Sequence, residues 1–379
     1  MSLPNYKSAL RLYKKLKCPA SVLDVPGELL PHEQAWNVIL GIRGTGKTTN
    51  LLLWGLCLNA VSGTVIQYIR QREVEIMPRN IGGLFDVVKK CGYISIITGG
   101  KWSSIFYKSR RWYYCNRNAD GDIIEKSDVS VCNCLAIELS EEYKSSYNAP
   151  DGDFIIVDEF LKERGYLSEE FILLSHLLST IIRNRDTAHI YLSGNLIDRY
   201  SVYFDELQLN DVIVDMTWGD HRQLQCGETK LHIYCQERPS DKQREKVNNK
   251  YFSWKSQKLT AITGSRGMWA MKLYPKPPKG KYRILSKAYI YKNGKYLARE
   301  LRQSDDMMYV FFYIDDGYNA DIHVLYTCDS QTGYNTRIRY GLGYSKTDNM
   351  IKHLIDAERS YFADNSAGAM LDAYVRDIE

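Results

Sequence analysis

Residues 35–60 read AWNVILGIRGTGKTTNLLLWGLCLNA. An apolar run ends at Leu40, a turn carries glycine at Gly41, Gly44 and Gly46, and Leu51, Trp54, Leu58 and Val61 then recur at helical spacing. The stretch spells strand, loop, helix. A second strand, Thr64 to Arg70, follows at β-α-β distance. FIIVDEF, from Phe154 to Phe160, is apolar until its acids, as in a strand covered on both faces of a parallel sheet. A helix with Phe171, Leu174, Leu178 and Ile181 on one side comes next, then a strand from His189 to Leu192. This alternation predicts an α/β fold whose open, mostly parallel sheet is flanked by helices.

At 379 residues the chain is two to three times a typical domain of roughly 150, so two domains are expected. Hydrophobic residues make up 44% and aromatics 12%, most of these from 29 Tyr, and charged residues only 25%, a composition that excludes an unfolded chain. Nine Cys without a CxxC pair argue against a secreted disulfide scaffold and for a reducing compartment. The opening MSLPNYKSALRLYKKLKC lacks a signal-peptide core, and no run nears the roughly 18 apolar residues of a membrane span. A soluble, cytoplasmic protein without a membrane partner is expected.

Between the second and third strands, SSIFYKSRRWYYCNRNADGDIIEKSD contains an Asp-Gly turn at Asp120 and Gly121, which predicts an inserted hairpin at an antiparallel edge. His221, Cys226, His232 and Cys235 invite a zinc reading. The GETK between LQC and LHIYC reads as a hairpin turn, and alternation along two strands accounts for these residues more simply. After Gln236 the composition shifts, and PKPPKGK around Pro275 cannot continue a helix or a central strand. The expected division is an α/β domain over 1–236, a basic linker over 237–275 and a β-rich α+β domain over 276–379. Hairpin turns are expected at Asn293-Gly294 and Asp316-Gly317, with helices at the end of the chain.

Gly41, Gly46, Lys47 and Thr48 fit G-x-x-x-x-G-K-[ST], and the strand before and helix after are the context that motif needs. The loop residues Gly41, Arg43, Gly44, Gly46, Lys47, Thr48 and Thr49 would close around the phosphates of ATP. Backbone N–H groups at a helix N-terminus meet the phosphate oxygens, Lys47 adds a point charge, and the Thr48 hydroxyl ligates Mg²⁺. Such a loop needs a carboxylate on the metal side at the end of a neighbouring buried strand, and Asp158 stands there. Glu159, next in sequence, would orient and activate the attacking water. Arg183 and Arg185 close the following helix, where cations are favoured in any case. Asn195 ends the next strand, either as a γ-phosphate contact or as an ordinary loop residue.

Taken together these residues resemble the DNA packaging ATPases of the small podoviruses, additional-strand P-loop ATPases related to viral terminases and to the FtsK and HerA translocases. The blocks that carry the resemblance are GIRGTGKT at Gly41, YIRQ at Tyr68, KSRRWYY at Lys108, EEYKSSYNAP at Glu141, IIVDEF at Ile155 and RNRDTAHIYLSGN at Arg183. They occur in the family's order over roughly residues 35 to 200, about one domain in length. The resemblance implies a homo-oligomeric ring, a pentamer by the family's habit, that drives double-stranded DNA into a procapsid at the portal vertex in the host cytoplasm, in some members with a packaging RNA. It implies that Arg183 is an arginine finger reaching the neighbouring subunit's nucleotide, and that Lys144 also acts across that interface. It further implies that the second domain is RNase H-like, a vestigial nuclease. The chain departs from the family pattern in being longer at its N-terminus and in the hairpin region.

The formal charge of +5 conceals a gradient: from Asp241 to Glu300 there are 12 Lys and 4 Arg against three acids, +13, leaving −8 elsewhere. Lys242, Arg244, Lys246, Lys250, Lys255 and Lys258, interleaved with Tyr251, Phe252 and Trp254, are candidate contacts to a DNA backbone, with a solvated linker as the competing reading. A nuclease would need carboxylates converging on two metal ions, and Asp315, Asp316, Asp329, Asp348 and Asp356 are candidates by type. Two other functions stay in view: a terminase-like metal-dependent endonuclease with an associated ATPase, and a nucleotide-gated structural ring.

Overall fold

The computed structural model describes residues 3–17, 23–149, 151–162, 166–195, 201–209, 212–213, 216–236, 274–292, 295–327, 336–337 and 345–378. They fall into two compact units, divided between Ala270 and Met271.

The first unit opens with helix α1 (Leu3–Lys15), strand β1 (Trp36–Gly41), helix α2 (Lys47–Ser62) and β2 (Ile66–Arg70). It continues through β3 (Ser104–Lys108), β4 (Arg111–Arg117), β5 (Ile123–Lys126), β6 (Cys132–Ala136) and helix α3 (Ser140–Ser146). Then come β7 (Phe154–Asp158), helix α4 (Glu170–Ile182), β8 (His189–Asn195), β9 (His221–Cys226) and β10 (Thr229–Cys235). The sheet order is β3-β4-β6-β2-β7-β8-β1-β10-β9, with β5 beside β4. From β6 to β10 every neighbouring pair is parallel. All of β7 is buried, as is β1 beyond Trp36, which is why both read as unbroken apolar runs. The predicted α/β sheet is therefore found, and β8 lies between the strand that leads into the glycine loop and the strand that ends in Asp158.

Helix α2 is apolar almost all round because it is covered on two sides. One face lies on the sheet, and α1 covers the other: the Tyr6 and Tyr13 rings meet Trp54 edge-on at 5.4 and 6.0 Å, and Ala9 and Leu16 are buried in the same core. Each fully buried leucine of α2, such as Leu51 or Leu56, contributes about 2 kcal/mol relative to an exposed one.

The predicted insertion is an antiparallel edge, more elaborate than one hairpin. Asp120 and Gly121 turn β4 into β5. A second turn, Ser109-Arg110, joins β3 to β4 with both residues at positive φ, 50° and 60°, as a two-residue hairpin loop requires. Ser-Arg is not a usual pair for such a turn, so the sequence concealed it. The hairpin at the GETK turn is also found: β9 and β10 pair antiparallel, His221 opposite Tyr234, and β10 extends the sheet parallel to β1.

The second unit contains β11 (Arg283–Lys292), β12 (Lys295–Gln303), β13 (Met308–Ile314), β14 (Val324–Tyr326), β15 (Thr336–Arg337), helix α5 (Lys346–Asp356), β16 (Ser360–Phe362) and helix α6 (Asn365–Ile378). Its sheet runs β15-β14-β11-β12-β13-β16. Ile351 and Leu354 of α5 and Leu371 and Tyr374 of α6 pack on one face, against Ile290, Leu297, Leu301 and Phe312. The opposite face carries Tyr289, Tyr291, Tyr296, Tyr313 and Tyr318. Asn293-Gly294 lies outside the described residues, between paired Lys292 and Lys295. The hairpin expected at Asp316-Gly317 is not formed. There the Asp315 carboxylate accepts from Gly317 N at 3.0 Å, and the chain crosses over to set β14 parallel to β11 rather than against β13. An Asp-Gly pair specifies a turn, whereas the strand it leads to is chosen by long-range packing. Tyr274 and Pro275, placed by sequence ahead of the second domain, are built into this unit: Tyr274 donates to Asp372 at 2.7 Å and meets Phe362 edge-on, and the Pro275 carbonyl accepts from Phe362 N. Among the described residues no helix is long and apolar enough to cross a membrane.

Candidate functional site

The site forms where β1, β7 and β8 end together at their C-terminal edge. Gly41 closes β1, and the parallel register places Asn195, the last residue of β8, opposite it. Beyond Gly41, Gly44 and Gly46 adopt φ of 76° and 73°, left-handed values that strain a residue bearing Cβ. These two residues fold the loop back so that α2 starts at Lys47 with its N-terminus toward the cleft, the end of a helix that favours anions. The Lys47 side chain is buried, and its Nζ donates to the Ile42 carbonyl at 2.8 Å and to Asn195 Oδ1 at 3.0 Å.

From the other side, Asp158 at the end of β7 accepts from Thr48 Oγ1 at 2.8 Å through Oδ1 and from the Tyr68 hydroxyl at 2.8 Å through Oδ2. Glu159 has φ 55°, a strained backbone for this residue type at the step where the strand ends. Its Oε2 accepts from Arg70 Nη2 at 2.6 Å, and the same guanidinium reaches Glu75 Oε1 at 2.8 Å and Asp158 Oδ2 at 3.5 Å. Burial raises the Tyr68 phenol well above its ordinary pKa and the Asp158 charge adds to this, so the hydroxyl stays a donor. Burial opposes the Arg70 charge, but Tyr68, Glu159 and Asp158 together outweigh it and raise its pKa. Burial likewise pushes the Glu75 carboxyl up, and the hydrogen bond and charge of Arg70 more than reverse this, holding it low.

An open cleft is walled by the loop from Arg43 to Thr49, by Asp158 and Glu159, and by the β8 tip from Ser193 to Asn195. Six of the loop residues singled out from sequence thus face one space with the two acids and Asn195, whereas Gly41 ends β1 and does not line it. Thr48 Oγ1 and Asp158 Oδ1 are adjacent hard oxygen donors of the kind Mg²⁺ takes, so the donor set fits that ion.

Arg183 and Lys144 do not line this cleft. Arg183 ends α4 at φ 52°, exposed, with its Nη2 donating to the Tyr147 carbonyl at 2.9 Å. Lys144 lies three residues before Tyr147, on α3, paired to Glu141 at 2.6 Å. The two cations therefore sit on one patch, where α3 meets the end of α4. Arg185 is turned inward, to Asp153 at 2.6 Å. Lys242, Arg244, Lys246, Lys250, Lys255 and Lys258 lie outside the described residues.

Among the described residues, the carboxylates considered for a nuclease are not brought together. Asp315 is held by Lys287 and by the Tyr289 hydroxyl, each at 2.7 Å, and Lys287 keeps its carboxyl below the usual range. Asp348 is buried under the helix-covered face with Arg299, Ser345 and Tyr326, whereas Tyr289 belongs to the opposite face. Asp316 and Asp356 are exposed, and Asp329 lies outside the described residues.

No family model matches the chain. The DNA packaging protein of Bacillus phage phi29 is 24% identical over 184 residues, 47% of this chain and 48% of that protein, so the chain spans about half the length of the curated relatives it matches. The solved phi29 viral genome packaging motor assembly superposes with a TM-score of 0.60 at 15% identity, over 95% of this chain and 100% of that one. The chain resembles the phage DNA packaging proteins. The Phi-28 DNA packaging motor gives a TM-score of 0.58 at 15% identity, over 93% and 97% of the two chains. The packaging-motor fold thus extends past the region whose sequence blocks carry the resemblance.

Sequence did not single out Thr45, Ser193 and Gly194, which line the cleft, nor Tyr68, Arg70 and Gln236, which hold its residues from behind. For Tyr68 and Arg70 a signal existed. Residues 68 and 70 alternate onto one face at the end of a strand whose partner is FIIVD, and a tyrosine and an arginine two apart at such a strand end are placed to meet its acids. Gln236 had none, because its proximity to the loop arises only from the pairing of β10 with β1.

Proposed function

We propose that the chain is an ATP-driven translocase that moves double-stranded DNA into a procapsid, working as a homo-oligomeric ring at the portal vertex in the host cell. The observation that carries this reading is the junction of three strand ends: Thr48 bonded to Asp158, and Lys47 bonded to Asn195. The likeness in fold to packaging motors over more than nine-tenths of the chain supports it.

In this reading the loop from Gly41 to Thr49 binds the triphosphate through its N–H groups, and Lys47 turns its ammonium to the β and γ phosphates. Thr48 and Asp158 would hold Mg²⁺, which when bound supplies neutralisation of phosphate charge. Glu159 accepts a proton from the attacking water at its carboxylate, and must leave Arg70 to do so. Asn195 positions the γ-phosphate side. Arg183 and Lys144 reach the neighbouring subunit's nucleotide, for which their exposure and distance from their own cleft are suited. A transition state completed in this way depends on the position of the next subunit, which lets a ring fire in sequence.

The basic residues from Lys242 to Lys258 hold the DNA backbone without reading bases, as a motor indifferent to sequence requires. The second unit is a vestigial RNase H-like domain that docks on DNA, portal, capsid or a phage-encoded RNA. An antiparallel meander, β11 to β13, continued by parallel β14 and β15, supports that reading, as does the pairing of Asp315 and Asp348 with cations. A pentamer is the expected ring. The test is ATP hydrolysis by the purified chain with and without double-stranded DNA: stimulation is expected, and hydrolysis indifferent to DNA overturns the coupling.

A further inference from the structure

Gln236 follows β10 directly, and its backbone N extends the β1–β10 ladder by donating to the Leu40 carbonyl at 2.7 Å. Its side chain, 4% exposed, turns under the glycine loop, where Nε2 donates to the Thr45 carbonyl at 3.3 Å. Oε1 has no hydrogen-bond partner among the described residues and is buried. That oxygen stands 2.7 Å from where a Cβ on Gly41 would lie, so a side chain there would displace the amide from its place against the loop.

A buried carbonyl left unpaired loses more than one long hydrogen bond recovers. Gln236 therefore does not strengthen the fold in this state, and an apolar side chain of similar volume would hold the fold at least as well. The amide acts on the loop. It shares the Thr45 carbonyl, midway between Gly44 and Gly46, with Leu23 N at 3.2 Å, and it carries an acceptor within reach of the loop's own backbone. We propose that Gln236 is a positioning residue of the nucleotide site: it fixes the loop through Thr45, and its Oε1 takes a loop N–H when the loop closes on the triphosphate. This rests on the reading of the loop as an ATP site. Since Gln236 contacts the loop and not the reacting atoms, it acts on nucleotide affinity before rate.

The experiment compares the full chain with Gln236→Leu and Gln236→Glu, measuring the KM for ATP, kcat, binding of a fluorescent ATP analogue and the thermal midpoint. Gln236→Leu is expected to melt at or above the temperature of the unaltered chain, yet to raise KM roughly fivefold, the worth of about one hydrogen bond, with a smaller change in kcat. Gln236→Glu, which loses the donor and adds a negative charge beside the phosphates, is expected to weaken analogue binding further. A Gln236→Leu chain with unchanged KM overturns the proposal, as does one whose melting point and kcat fall together at constant KM, which is the behaviour of a structural residue. An unaltered chain that binds no ATP overturns the nucleotide site itself, and this inference with it.

Discussion

Arg70 Nη2 lies 2.6 Å from Glu159 Oε2, so the carboxylate proposed to activate water is engaged by a guanidinium of its own subunit. Because Arg70 also reaches Glu75 and Asp158, it stays in place when Glu159 departs, and the pair is a resting contact that can open. With Glu159 47% exposed the contact is solvent-screened and contributes at most about 1 kcal/mol. Substituting Arg70→Gln should therefore raise ATP hydrolysis without DNA by roughly two- to fivefold and lower the stimulation by DNA. A steady-state assay in the absence of DNA measures it. A fall in rate would show that Arg70 assists catalysis rather than restraining it.

Glu159→Gln keeps the shape and removes the base. The rate constant of hydrolysis should drop by about 10² to 10⁴ while ATP is still bound. Single-turnover hydrolysis alongside equilibrium binding separates the two effects, and an unaltered rate would leave Glu159 without the role proposed.

Arg183 is exposed at the end of α4 and absent from its own cleft. A finger acting in trans can contribute about 10³ to 10⁵ in rate. When Arg183→Ala is mixed into unaltered protein, ATPase activity should fall faster than the fraction of altered chains, since each one silences a neighbour. Strict proportionality in the mixing curve would place the effect within single subunits.

The buried His232 stands against His221, Nε2 to Nδ1 at 3.0 Å, and burial, with added repulsion from His221 and His32, pushes its pKa down to about 3. An unfolded histidine titrates near about 6.5, so between these values the unfolded chain binds the extra proton. Stability is then full above the unfolded value and is lost as pH falls toward the folded one. The loss should be about 2 kcal/mol by pH 5, read from urea unfolding at pH 7.5 and pH 5. Replacing His232→Phe should flatten that dependence, and an equal slope in the variant would assign the acid sensitivity elsewhere.

The glycine loop, the acids of FIIVDEF and the alternation of strands and helices were legible because each is local. Apolar runs follow from burial on both faces, and a loop that must turn twice in the left-handed region needs glycine there. The Ser109-Arg110 turn escaped the sequence because its residues do not advertise positive φ. The Asp316-Gly317 pair misled because a turn residue specifies a bend and not the strand that follows it. Asp158, Glu159 and Asn195 could be placed at strand ends, but that their strands lie side by side was an expectation until the order of β7, β8 and β1 was known.

By itself the sequence determined the chemistry on offer: a glycine loop carrying a lysine and a threonine, a pair of acids at a strand end, and cations at the end of a helix. Tertiary structure alone decided who holds whom: Tyr68 on Asp158, Arg70 on Glu159, Gln236 under Thr45. Those contacts join residues up to 191 positions apart, through the pairing of parallel strands. Parallel pairing is set by how whole apolar faces pack and not by any residue's local preference, so no reading of neighbours along the chain reaches it.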